Sequence, residues 1–108
     1  MDLLAKFQLD NQQLFEVFDY CKSQGLPPLC TPWDLKSLRA LEEYGMEFYK
    51  VASADLTNHP FLEALINTGK PLICSTGMSS EIEIKKSADF LRKKGANFVL
   101  LHCNSTYP

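Results

Sequence analysis

The chain has no apolar run approaching the roughly 20 residues that a bilayer-spanning helix needs, and its opening M-D-L-L-A-K-F is too short and too polar for a secretory signal. Membrane insertion and export are therefore not expected, and the cytoplasm is the expected compartment. No C-x-x-C pair occurs among the four cysteines, Cys21, Cys30, Cys74 and Cys103, which stand far apart. Neither a zinc site nor a redox motif is signalled, and reduced, mostly buried thiols are expected. There is no G-x-G-x-x-G after any apolar segment, which weighs against an open dinucleotide-binding sheet. A basic patch is also missing: the formal charge is -2, with lysines scattered among acids, so no nucleic-acid partner is expected.

What the chain does have is the makeup of one small folded domain, with 45% hydrophobic and 22% charged residues over 108 positions. Asp10 is placed to cap a helix through Leu14, Phe15, Phe18 and Cys21, with Gly25 as its stop. Leu29 to Thr31 has room for only a short strand, since Pro27 and Pro28 cannot donate to a ladder. Asp34 opens a second helix that Gly45 ends. Asn58 or His59, with Pro60 at the first helical position, opens a third. Ser80 and Glu83 form a capping box for a fourth, which reaches about Lys94. Between the helices lie the apolar segments Phe48 to Asp55, Leu72 to Ser75 and Phe98 to Cys103.

The order is thus helix and strand in alternation, four of each, and strands joined through helices must run parallel. The polar strand ends are almost evenly spaced, 22 residues from Thr31 to Ser53, 22 to Ser75 and 27 to His102. Parallel βα architectures place their ligand sites at that end of the strands. An α/β fold is expected, a partial TIM (β/α)8 barrel with about four parallel strands, since a full barrel takes about 250 residues and eight strands. Left alone, such an arrangement would expose two unpaired edges and an apolar face.

Lys50 is the residue that asks for an explanation. It sits in the middle of an apolar strand, where an unpaired ammonium costs several kcal/mol or more on an order-of-magnitude basis, so an anion is expected beside it. His102 has no second candidate ligand nearby and reads as structural rather than metal-binding. His59 reads as exposed or as a cap, and Met78 as a packing residue beneath its loop.

The segments K-F-Q, C-T-P-W-D, Y-K-V-A-S-A-D-L-T-N-H-P, G-K-P-L-I-C-S-T-G-M and L-L-H-C-N-S-T-Y-P, in this order across nearly the whole chain, resemble the signature blocks of the N-acetylneuraminate (sialic acid) synthase family. The resemblance implies a transferase of carbohydrate biosynthesis that condenses phosphoenolpyruvate with an N-acetylated hexose such as N-acetylmannosamine. The product is a nine-carbon 2-keto sugar acid, and legionaminic- and pseudaminic-type precursors stay open as acceptors. It implies a divalent metal, Mn or Mg, whose ligands lie on the seventh and eighth strands, outside this chain. A homodimer is implied for the complete enzyme.

By the same resemblance, residues 1–108 are one domain, the central units of the barrel without its outer strands or the antifreeze-like domain, and inactive alone. Lys50 and Ser53 match residues that grip phosphoenolpyruvate, with Thr31 and Ser75 as further contacts. Asp55 matches a proposed acid or base. Ser105 stands where some members have an asparagine contact, and Tyr107 matches a tyrosine that touches the sugar. The alternative reading is a non-catalytic half-barrel that binds a small phosphorylated anion or pairs with another half.

Overall fold

A computed structural model describes residues 10–104. Its helices are α1 (Asn11–Ser23), α2 (Leu35–Tyr44), α3 (His59–Ile66) and α4 (Glu81–Lys93), and its strands are β1 (Tyr49–Val51), β2 (Leu72–Ser75) and β3 (Phe98–Leu101). The helix starts follow from local chemistry. The side chains of Asp10, Asp34 and Ser80 each accept a hydrogen bond from the backbone N–H three residues on, and the side chains of Gln13, Ser37 and Glu83 accept one from the cap residue's backbone N–H. These reciprocal pairs satisfy donors that no helical carbonyl can reach. Between the two candidates for α3 the structure selects Asn58, whose Oδ1 accepts from Phe61 N–H at 3.3 Å. Gly45 ends α2 at φ 98°, a conformation in which a Cβ would be strained.

The three strands form one parallel sheet in the order β1-β2-β3, with Lys50 opposite Ile73 and Ile73 opposite Val99. Alternation along the strands sorts their side chains onto two faces. Tyr49, Val51, Leu72 and Cys74 lie on the helix-covered face, buried with Leu41 of α2, Leu62 and Leu65 of α3 and Leu91 of α4. Each such aliphatic side chain contributes about 1.5–3 kcal/mol by leaving water. The other face carries Lys50, Ile73, Ser75, Val99 and Leu101, and on β3 Val99 is 55% exposed.

Three expectations are corrected here. Among the described residues the sheet has three strands, not four, because Leu29–Thr31 lies beside β1 without joining it. Lys50 N–H donates to Cys30 O at 3.0 Å, and a parallel bridge would need the N–H of residue 32 to donate back to the Lys50 carbonyl. Residue 32 is proline, which has no such proton. The lysine strand stops at Val51 and passes into a 3-10 turn at Ser53–Asp55, so Ser53 belongs to a turn and not to the apolar segment expected to run from Phe48 to Asp55. Finally, β3 ends at Leu101 instead of Cys103, and Thr76 Oγ1 donates to its last carbonyl at 2.7 Å.

Candidate functional site

The carboxyl ends of β1 and β2 meet in a cleft of about 500 Å³, lined by Trp33, Lys50, Ala52, Ser53, Ala54, Ser75 and Met78. Strand parity aims Lys50 onto this face, and the register sets Ser75, one position beyond the partner of Val51, diagonally across from it. The half-buried ammonium donates to Ser75 Oγ and, at 3.1 Å, to the Val51 carbonyl. Among the described residues it makes no ion pair; the three that exist join Lys70 to Glu42, Arg92 to Asp89 and Lys94 to Glu63. A lysine ammonium has three protons, so one N–H remains to be given.

The two serines are prepared in the same sense. Ser75 accepts from Lys50, and Ser53 Oγ accepts from the Gly77 N–H at 3.1 Å. Neither hydroxyl donates to another group among the described residues. One ammonium proton and two hydroxyl protons are therefore free at one cleft, with no carboxylate in its lining. Such a set suits an anion, because charge-assisted hydrogen bonds at a partly desolvated site are the strong ones. Cys74, just before Ser75, is turned to the opposite, buried face. Burial pushes its thiol up to about 11, while the Lys50 charge pulls the other way.

Of the residues singled out in the sequence, Lys50, Ser53 and Ser75 are brought together. Thr31 lies opposite Lys50 in the interrupted pairing and is half-buried, but it does not line the cleft. Asp55 closes the 3-10 turn and is also outside the lining. Ser105, Tyr107 and the K-F-Q block lie outside the described residues.

Met78 is corrected: it is 66% exposed and forms a wall of the cleft. Trp33, 76% exposed, forms another and was not anticipated; its signal was its place two residues after Thr31 at the end of an extended segment. His59 is neither exposed nor the cap. It is half-buried, and its ring stacks on Phe90 with centroids 4.6 Å apart. The four thiols are free as expected, but only Cys74 is fully buried. His102 is exposed, and among the described residues no group of three or more His, Cys, Asp or Glu side chains could hold a metal ion.

A family model described as NeuB family matches residues 1–108. The chain belongs to the NeuB family. Curated relatives of this NeuB chain include N,N'-diacetyllegionaminic acid synthase of Campylobacter jejuni, 35% identical over 100% of the chain and 33% of the relative. Another is N-acetylneuraminate-9-phosphate synthase of Mus musculus, 30% identical over 94% of the chain and 28% of the relative. Among solved structures, the crystal structure of N-acetylneuraminic acid (sialic acid) synthetase from Leptospira borgpetersenii serovar Hardjo-bovis, in complex with citrate, is 33% identical. It superposes with a TM-score of 0.87 over 94% of this chain and 35% of that one. The NeuB chain thus spans about a third of the length of these relatives. Its structural neighbours are TIM-barrel synthases, and its three parallel strands with their helices are part of such a barrel.

Proposed function

We propose that this chain carries the phosphoenolpyruvate-holding part of a sugar acid synthase. The observation that bears most weight is the half-buried Lys50 ammonium, which has no carboxylate partner among the described residues and shares its cleft with two serine hydroxyls that donate to no other described group. Phosphoenolpyruvate offers a carboxylate and a phosphate, and Lys50, Ser53 and Ser75 would bind one of these groups and steady the charge that grows as phosphate departs. In the condensation, the enol carbon bonds to the aldehyde carbon of an N-acetylated hexose. Water adds at the carbon that bears the phosphate, whose C–O bond then breaks to give inorganic phosphate and the 2-keto sugar acid. The legionaminic acid and N-acetylneuraminate phosphate synthases among the relatives, and the citrate complex of the Leptospira enzyme, support a site for small carboxylates and sugar acids.

Thr31 is proposed as a contact reached from beside the cleft, with Ser105 and Tyr107 completing the substrate contacts. Asp55 is proposed as the acid or base, although it stands back from the cleft lining. A divalent metal, Mn or Mg, would polarise the sugar aldehyde as a Lewis acid. The described residues do not fit it, since they offer no ligand cluster, so it would be held elsewhere. A homodimer and a cytoplasmic setting belong to the same proposal; no helix among the described residues is long and apolar enough to cross a membrane.

Calorimetric titration of the protein with phosphoenolpyruvate tests the reading. Lys50→Ala should weaken binding on the order of 100-fold, and Lys50→Arg, which keeps the charge but not its shape, should fall between. Unchanged affinity in Lys50→Ala would refute it. A stable symmetric dimer that binds phosphoenolpyruvate would instead favour a non-catalytic half-barrel, a reading that draws on the exposed Val99, Leu100 and Leu101 of β3.

A further inference from the structure

Ser87, in the middle of α4, is fully buried, an unusual place for a serine unless its hydroxyl has work. Its Oγ–H donates to the Leu56 carbonyl at 2.8 Å, and its Oγ lies 3.2 Å from His59 Nε2. A carbonyl can only accept, so the single hydroxyl proton is committed to Leu56. The bond to the imidazole must then run the other way, with Nε2–H donating to Ser87. His59 is thereby held as the Nε2–H tautomer. Stacking on Phe90, at 9° between ring planes, fixes the imidazole against the same helix.

Leu56 follows directly on the 3-10 turn and donates its own N–H to Ser53 O at 3.4 Å. We infer that His59 and Ser87 are positioning residues: the chain His59 Nε2–H to Ser87 Oγ–H to Leu56 O clamps the turn bearing Ser53 onto α4 and so sets where that hydroxyl stands in the cleft. The catalytic value of this clamp rests on the function proposed above, whereas the clamp itself does not.

Amide hydrogen exchange at Gly77, whose N–H donates to Ser53 Oγ, reads the position of Ser53 without any ligand. Ser87→Ala should speed exchange at Gly77 by about 10-fold, the scale of one net hydrogen bond, while the amides of β2 keep their protection. His59→Ala should do so to a smaller degree, and His59→Gln, which retains an N–H donor, should restore protection. If Ser87→Ala unfolds the chain, the His59 pair decides alone. Nitrogen chemical shifts should show His59 protonated at Nε2.

Phosphoenolpyruvate titration adds a cycle: Ser87→Ala should weaken binding several-fold in the wild-type background and not at all in Ser53→Ala. Unchanged Gly77 exchange, an Nδ1–H tautomer, or equal losses in both backgrounds would overturn the clamp. Coupled Gly77 exchange with no binding by the wild type would leave the clamp standing and remove the phosphoenolpyruvate reading.

Discussion

At the scale of single residues, Lys50 and Cys74 report on each other across the sheet. Cys74 is buried, which favours its neutral thiol and raises its pKa from 9.0 to about 11, and the nearby ammonium opposes that rise. Removing the charge in Lys50→Met should therefore lift the Cys74 pKa further, measured by thiolate absorbance against pH; a fall would place the ammonium elsewhere. The linkage has a definite sign. The folded state holds this proton more tightly than the unfolded chain, so the contribution is complete below pH 9 and is lost as the pH rises toward 11. Cys30, also raised chiefly by burial, acts in the same direction. Denaturant melts should show stability declining over this alkaline range, and constant stability there would contradict the burial of the thiol. That Lys50 would need partners was legible in the sequence because a cation in an apolar strand is costly, but its neutral partners were not: no pattern says that a serine 25 residues away will be its acceptor.

At the scale of elements, the helices were the most legible part, since each start is written in a cap within three residues of the first turn. Strands depend on neighbours, and there the reading went astray at Leu29–Thr31. Pro27 and Pro28 drew attention as the obstacles, yet the residue that blocks the ladder is Pro32, the one position whose N–H would have to reach the Lys50 carbonyl. Pro32→Ala restores that proton. Its new amide should exchange at least about 10-fold more slowly than an open one, and exchange at the open rate would mean the segment is held away for another reason. The break between β1 and the 3-10 turn was hidden for a similar cause. Ser87 on α4 holds the Leu56 carbonyl from across the fold, and nothing between Phe48 and Asp55 announces it.

At the scale of the molecule, the alternation of helix and strand was enough to anticipate parallel strands joined through helices, although four were expected and three are found among the described residues, with a cleft at the carboxyl ends of β1 and β2. Tyr49, Val51, Leu72 and Cys74 turn to the helices, which leaves Lys50 and Ser75 on the side where a barrel has its interior. The walls of the cleft were harder to read: Trp33 was marked only by its place after Thr31, and Met78 by nothing, because both reach the cleft from loops. Asp55 was expected as an acid or base from the family resemblance, and it closes the 3-10 turn outside the cleft lining. The decisive measurement is a crystal structure of the protein soaked with phosphoenolpyruvate. Its phosphate or carboxylate oxygens should lie within hydrogen-bond distance of Lys50 Nζ, Ser53 Oγ and Ser75 Oγ; ligand bound away from Lys50, with the ammonium still resting on Ser75 and Val51 alone, would contradict the proposal.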